Sequence, residues 1–459
     1  MKHSLETLQM PEACRQIIGR LKENGHRAYA VGGCVRDALL GQQPHDWDIT
    51  TSALPQQILV LFPEYPVIET GLQHGTVTLV INHEPFEITT FRIDGDYSDG
   101  RHPDSVRFTA SIEEDLARRD FTINAMAYND EDGLIDPFGG RDDLAQKQIR
   151  CVGDPERRFS EDALRLFRAV RFSAVLGFSI HPDTLRALHQ LSHTITLVAK
   201  ERIFSELKKT LTAPQATEAL RTAPELLFSA VPQLACIRDV PQNSCYHIYD
   251  VWEHTLHALE ASSPDCTVRL ALLLHDTGKG VCRTVGADGR DHFYGHAGKS
   301  AAIARDALHT LRCDNKTLHD VVKLVELHDL HFPMRPAKFR RLLASVGYEL
   351  FYKLIDVSKA DSLAHAPEFI PERLAALDEA LLEARRLEKE NYCLSLKQLA
   401  VNGRDMAELG LHGQEIGQVL HQLLDEVILG QQINDRDRLL TRAQRIYDRS
   451  QTNHETAKE

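Results

Sequence analysis

The stretch Ala28–Thr51, AYAVGGCVRDALLGQQPHDWDITT, constrains this chain more than any other. The apolar run Tyr29–Val31 reads as a strand that ends in Gly32-Gly33. A helical segment with Arg36 and Asp37 follows and stops near Gly41, and the chain returns as a second strand carrying Asp46 and Asp48. Alternate residues of a strand project to one side. Asp46, Asp48 and Thr50 therefore share a face opposite Trp47 and Ile49. Such a strand sits on a core and presents two carboxylates to solvent.

Carboxylates this close repel unless a cation lies between them. Hard oxygen ligands favour Mg²⁺, which completes its shell with water and substrate phosphates. The paired glycines let backbone N–H groups approach a phosphate, and the helix start adds positive potential. Arg36 supplies a charged fork. Together these residues read as a triphosphate-and-magnesium site. Glu87, on the strand-like run PFEITTF (85–91), is either a third metal carboxylate or a solvated edge residue.

With 459 residues and 42% hydrophobic content, the chain has enough apolar surface for about three domain-sized units. No run of about 18 apolar residues occurs, so no membrane span is expected, and the polar N-terminus lacks a signal peptide's apolar centre. Nine cysteines without a CxxC motif fit free thiols in a reducing cytoplasm. A net charge of −13 excludes a uniformly basic protein, so a nucleic-acid partner requires a local basic patch. Residues 5–25 read as an amphipathic helix. GTVTLVI (75–81) and PFEITTF read as strands joined by Asn82-His83-Glu84. FRIDGDYSDGRHPDSVRF (91–108) reads as a mobile loop. From Asp154 to about Leu227, and again from about Tyr246, the pattern is helical.

In ARRDFTINAMAYN (117–129), Asp120 and Asn124 are four apart and share a helix face. An Asp and an Asn suit ribose hydroxyls, and Arg119 suits phosphate. In SEDALRLFRAVRFSAVLGF (160–178), Ser160 reads as an N-cap. The helical period puts Ala163, Leu166, Phe167, Val170 and Ala174 on one face. Arg165, Arg168 and Arg171 line the other, with Asp162 beside Arg165. Cytosine and adenine both offer an exocyclic amino donor next to a ring-nitrogen acceptor. An Asp accepts from the first and an Arg donates to the second. Uracil and guanine reverse both polarities and leave a buried carboxylate facing a carbonyl, which is costly. An Asp162/Arg165 pair thus selects C and A without a template base.

GGCVRD with DWD, RRDFTINAMA and EDALRLFRAVRF, in that order, resemble the blocks of class II CCA-adding tRNA nucleotidyltransferases, which bacterial poly(A) polymerases share. The resemblance covers about residues 28–210, including AKERIFSELKKTL, and returns in VNGRDMAELGLHGQEIGQVL (401–420). It implies an α/β nucleotidyltransferase head (1–150, a small mixed sheet with helices), then an all-α neck and body (151–240), a helical domain (241–370) and a helical tail (371–459). It implies stepwise addition of CCA to tRNA from CTP and ATP with release of pyrophosphate, Asp46 and Asp48 holding Mg²⁺. Gly33, Arg36, Arg119, Asp162, Arg165, Arg168 and Arg171 match nucleotide-binding positions. FRIDGDYSDGRHPDS (91–105) matches a loop that is altered in relatives adding only CC, and so favours full CCA addition. ETGLQHGTVTLV looks like the CCA branch rather than poly(A) polymerase. The tRNA is expected along a basic run of Lys200, Arg202, Lys208 and Lys209, gripped by shape and backbone. A poly(A) polymerase and a non-catalytic protein with a relic head are the alternatives.

Residues 246–365 carry a second constellation: His254, the adjacent pair His275-Asp276, His296, His328 and Asp361, each on or at the end of a helix-like segment. Inward-facing His and carboxylate from several helices is how bundles hold di-metal sites. The order His, His-Asp, Asp resembles the HD phosphohydrolase superfamily, with His296 and His328 as the extra histidines of its two-metal members. Neutral imidazole suits Ni²⁺, Mn²⁺ or Fe²⁺, and Lys279 suits phosphate. A phosphoester, such as a 2′,3′-cyclic phosphate on a damaged tRNA end, is the expected substrate.

Overall fold

In the computed structural model of the protein, which describes residues 8–68, 71–72, 75–95 and 106–456, the chain divides into two compact units. The first comprises Met1–Ala235 with His309–Cys313, the second Cys236–Leu308 with Asp314–Glu459. The strands of the first include β1 (Ala28–Val31), β2 (Ile49–Thr51), β3 (Val67–Ile68), β4 (Thr76–Ile81), β5 (Glu84–Thr90), β6 (Arg92–Asp94), β7 (Val106–Phe108), β8 (Ala127–Asn129) and β9 (Gly133–Ile135). Seven of them form a mixed sheet in the order β3-β4-β5-β2-β1-β8-β9, while β6 pairs with β7. Within the sheet β2 and β5 run parallel, with Ile49 opposite Ile88. The other neighbours are antiparallel.

The central strand β1 is buried along its whole length. The amphipathic helix Glu12–Glu23 turns Cys14, Ile17, Ile18 and Leu21 inward, and Tyr29, Val31, Phe91, Ile112 and Leu116 share one core. The β4–β5 hairpin turns on Asn82 and His83, both with positive φ (52° and 68°). That is the two-residue turn whose twist matches a hairpin. The expected three-residue link is shorter because Glu84 already pairs with Ile81.

Several local expectations are corrected. Asp46 and Asp48 precede β2 rather than lie in it, although the Val31 N–H still donates to the Asp48 carbonyl at 3.0 Å. Trp47 and Ile49 are buried and Asp46 is exposed as expected, but Asp48 is half-buried and Thr50 fully buried, so the face expected toward solvent is only partly open. The stretch 160–178 is not one helix: Asp162 (φ −143°, ψ 105°) separates Pro155–Glu161 from Leu164–Leu176. Asp154 caps the first of these by accepting from the Glu156 and Arg157 N–H groups. Ser160 lies inside that helix and donates to the Glu156 carbonyl at 2.8 Å, so it is not a cap. ARRDFTINAMAYN forms a 3₁₀ turn at Thr122–Asn124 followed by β8, not an α-helix. Of the loop expected at 91–108, the ends pair as β6 and β7, and residues 96–105 lie outside the described residues.

The second unit is built on the helices Val251–Ala261, Cys266–Leu274, His296–Thr310, Asn315–Leu327, Pro336–Leu363 and Ile370–Lys389. Gly403–Glu408, Gln414–Ile428 and Arg436–Thr456 form its C-terminal part. A small hairpin pairing Thr284 with His292 interrupts the otherwise helical pattern. No described helix is long and apolar enough to cross a membrane, and all nine cysteines are free thiols.

Candidate nucleotide site and helical metal centre

Gly32 ends β1 at φ 84°, a conformation open to glycine at low cost. A Cβ there would stand 2.9 Å from Arg119 Nη1. Arg119 is steered by Asp115, whose Oδ2 lies 3.6 Å from Arg119 Nη2. Asp115 is fully buried and accepts from the Thr50 hydroxyl (3.2 Å), the Arg92 N–H (3.3 Å) and Arg118 Nε (3.0 Å). Burial alone raises its carboxyl pKa, but Arg118 and Arg119 bring it below the ordinary value. The sequence reading missed Asp115. Its signal was the i,i+4 spacing to Arg119 in IEEDLARR.

A second buried carboxylate, Asp120, organises the other arginines. Its Oδ2 accepts from Arg168 Nε at 2.7 Å, and its Oδ1 from Asn124 Nδ2 at 3.2 Å and the Phe121 N–H at 2.9 Å. Asn124 Oδ1 in turn accepts from Arg36 Nη1 at 2.7 Å. Burial raises the Asp120 carboxyl, yet Arg168 and Asn124 pull it down to about 2. The guanidinium groups of Arg36, Arg168 and Arg171 lie 5.2, 5.3 and 4.0 Å from the centre of the Phe172 ring. Arg171 pairs with Glu206 at 2.6 Å. Gly32, Arg36, Arg119, Asp120, Asn124, Arg168 and Arg171 thus belong to one connected cluster, and a Cβ on Gly33 would stand in ordinary contact, 3.7 Å from Arg36 Nη2.

Asp162 and Arg165 are engaged separately. Asp162 caps the Leu164 N–H (3.0 Å) and takes Arg202 through both oxygens, at 2.9 and 3.4 Å. Arg165 donates to Glu161 Oε2 (2.7 Å) and to the carbonyls of Arg158 (2.9 Å) and Arg118 (3.2 Å). Arg202 was expected to face RNA and instead holds Asp162.

The acidic group sits at the β2–β5 junction, where parallel pairing of Ile49 with Ile88 carries Asp48 alongside Glu87. The Asp48 carboxyl is pushed up to about 6 by burial, then by Asp46 and Glu87, with Arg119 opposing. Acids crowded in this way lack counter-charge, and an all-oxygen donor set suits Mg²⁺.

In the second unit, His254, His275, Asp276, His296, His328 and Asp361 converge. Asp276 Oδ2 lies 3.2 Å from His275 Nε2 and 3.5 Å from His254 Nε2. Its Oδ1 lies 3.5 Å from His296 Nε2 and 3.7 Å from His328 Nε2. Asp361 Oδ1 is 2.9 Å from His254 Nε2 and 3.4 Å from His275 Nε2. One carboxylate therefore faces two histidine pairs, one with each oxygen. Every one of these histidines donates its Nδ1–H to a backbone carbonyl: His254 to Ala364 (3.2 Å), His275 to Leu272 (2.6 Å), His296 to Phe293 (3.0 Å) and His328 to Val325 (2.7 Å). A carbonyl can only accept, so in the neutral imidazole each Nε2 is left as a lone pair aimed inward. The Nε2 atoms of His296 and His328 then face each other at 3.1 Å, which needs a cation or a proton between them. His275 Nε2 and Asp276 Oδ1 are buried without a hydrogen-bond partner, and Asp276 Oδ2 meets Lys279 Nζ at 2.7 Å. Two metal ions fit this donor set.

His365 was not foreseen as a ligand. It stands with His254 and Asp361 in a third group whose ligand atoms all lie within 4.8 Å of one another. Its i,i+4 spacing from Asp361 in ADSLAH was the available signal. His247 was also missed. Burial and the neighbouring Lys279 push its pKa down to about 2, keeping it neutral.

The first unit is similar to the Poly A polymerase head domain family over residues 28–150, and residues 177–234 match the family described as a probable RNA and SrmB-binding site of polymerase A. The head is thus of the nucleotidyltransferase class that poly(A) polymerases typify. The crystal structure of the Bacillus stearothermophilus CCA-adding enzyme in complex with CTP is 32% identical, with a TM-score of 0.73, over 98% of this chain and 100% of that one. The CCA-adding enzyme of Geobacillus stearothermophilus is 48% identical over 220 residues, 48% of this chain and 54% of that protein. That of Bacillus cereus strain Q1 is 42% identical over 243 residues, 53% of this chain and 61% of that protein. These alignments thus span little more than half the length of the curated relatives. The chain belongs to the CCA-adding enzyme family.

Phe172→Leu removes the ring around which Arg36, Arg168 and Arg171 gather. It is expected to weaken triphosphate binding about tenfold by calorimetry; unchanged affinity would show that the ring organises nothing. Asp276→Asn is expected to lose the metal that the wild-type full chain retains after dialysis against Mn²⁺. Elemental analysis reads this directly, and wild-type metal content in the variant would contradict the shared-carboxylate arrangement.

Proposed function

We propose that the protein adds C, C and A in turn to the 3′ end of tRNA, using CTP and ATP and releasing pyrophosphate. The observation that carries this reading is the connected set Arg36–Asn124–Asp120–Arg168, held together by hydrogen bonds of 2.7–3.2 Å, in the same unit as the crowded acids Asp46, Asp48 and Glu87. The CTP complex of the Bacillus stearothermophilus relative supports CTP as a substrate, and the curated relatives, named as CCA-adding enzymes, support addition of that triplet.

Asp46 and Asp48, with Glu87 beside them, are the residues that would hold Mg²⁺, whose chemistry when bound is to favour the 3′-oxygen as nucleophile and to neutralise pyrophosphate. The backbone at Gly32 and Gly33 with Arg36, Arg119, Arg168 and Arg171 binds the triphosphate. Asp120 and Asn124 act by positioning Arg36 and Arg168, to which they are already bonded. Asp162 accepts the amino group of cytosine or adenine, its carboxylate oriented by Arg202, and Arg165 completes the base edge. The tRNA backbone runs along the helix Lys200–Leu211, using Lys200, Lys208 and Lys209. The segment 91–108 favours addition of the full CCA.

The second unit is proposed to be an HD-type phosphohydrolase. His254, His275, Asp276 and Asp361 would hold one metal ion, and Asp276, His296 and His328 a second, supplying an activated water when loaded with Ni²⁺, Mn²⁺ or Fe²⁺. The buried atoms His275 Nε2 and Asp276 Oδ1, which have no hydrogen-bond partner, support this reading.

Asp46→Ala and Asp48→Ala are each expected to lower incorporation of labelled CMP and AMP into trimmed tRNA by at least about a thousandfold, the scale of losing a principal charge-stabilising group. Turnover near wild type in either variant would refute the assignment.

A further inference from the structure

The helical centre adjoins a cavity of about 650 Å³ that includes Asp276 and Asp361 and is lined as well by Lys279, Arg373, Tyr246 and Phe369. A phosphoester entering such a space brings negative oxygens that need donors. Lys279 is the obvious candidate by sequence, but its three donor positions are occupied. Its Nζ lies 2.7 Å from Asp276 Oδ2, donates to Gln242 Oε1 at 2.6 Å, and lies 3.2 Å from His247 Nε2.

Arg373 is different. It lies in the first turn of the 20-residue helix Ile370–Lys389, where free N–H groups add positive potential. Its Nη1 is buried and meets no acceptor. Asp329 and Glu372 also line the cavity, yet among the described residues neither forms an ion pair with Arg373. A buried guanidinium N–H without an acceptor is costly and rare, and it fits a place where a ligand supplies the oxygen. Nearby, the Tyr246 and Phe369 rings stand 4.6 Å apart and tilted by 51°, with Tyr246 half exposed, an open aromatic wall suited to a flat organic group.

We propose that Arg373 is the oxyanion-binding residue of this cavity, taking the non-bridging oxygens of a phosphoester whose organic group lies against Tyr246 and Phe369. The proposal rests on the phosphohydrolase reading of the centre, and it adds a residue and a ligand pose to that reading.

The test uses the full chain, metal-free and loaded with Mn²⁺, with inorganic phosphate as the probe in calorimetric titrations and metal content measured in parallel. Arg373→Met is expected to retain the wild-type metal content and to weaken phosphate binding about tenfold or more, the scale of one hydrogen bond to a charged group. Arg373→Lys is expected to recover part of the loss. Phosphate binding by Arg373→Met equal to wild type, or absence of phosphate binding by wild type in both states, would overturn the proposal. Failure of the hydrolase reading shows separately: wild type would then bind phosphate in an Arg373-dependent way yet cleave no 2′,3′-cyclic nucleotide when loaded.

Discussion

A carboxylate as deep as Asp120 costs several kcal/mol unless its charge is met on the spot, and the way it is met builds the proposed nucleotide site. Arg168 takes one oxygen, and Asn124 with the Phe121 N–H takes the other. Because Asn124 spends its amide nitrogen on Asp120, its oxygen is fixed toward Arg36. Arg36, Arg168 and Arg171 are then gathered about Phe172, each with its own counter-ion: Asp37, Asp120 and Glu206. The cradle is charge-balanced before any nucleotide arrives, which lets guanidinium groups crowd without repulsion. Asp115 does the same for Arg118 and Arg119.

The acids Asp46, Asp48 and Glu87 show the opposite condition. Arg119 offsets them only in part, and the Asp48 carboxyl rises to about 6. The helical centre repeats that condition with different chemistry. Its histidines are oriented by backbone carbonyls, so their lone pairs converge whether or not an ion is bound. One unit therefore combines satisfied arginines with unsatisfied oxygens. The other presents nitrogens and oxygens together, which distinguishes the proposed oxygen-only Mg²⁺ site from the proposed mixed-donor transition-metal site.

The legible parts of the sequence were those whose partners lie nearby in the chain or whose chemistry is uncommon in a core. GGCVRD before DWD, and His275-Asp276 closing an apolar helix, announce themselves by residue type. Asp115 and His365 were visible only as i,i+4 relations, easily taken for helix-face pairs. Arg202 was not legible, because its partner Asp162 lies 40 residues away and a lysine-rich stretch reads as solvated. The break at Asp162 has the same origin. A helical run was expected through it, but its carboxylate is fixed by Arg202 and by the Leu164 N–H, which draws the residue into an extended conformation.

The central claim is that Asp120 acts by placing its neighbours and not by its charge, and one titration separates the two. Removing a negative charge beside arginines should, on electrostatics alone, tighten the binding of a triphosphate. If Asp120 instead holds Asn124, Arg36 and Arg168 in place, Asp120→Asn should bind CTP about tenfold or more weakly than wild type by calorimetry in Mg²⁺, the scale of breaking a buried ion pair. Affinity equal to wild type, or tighter, would contradict the account.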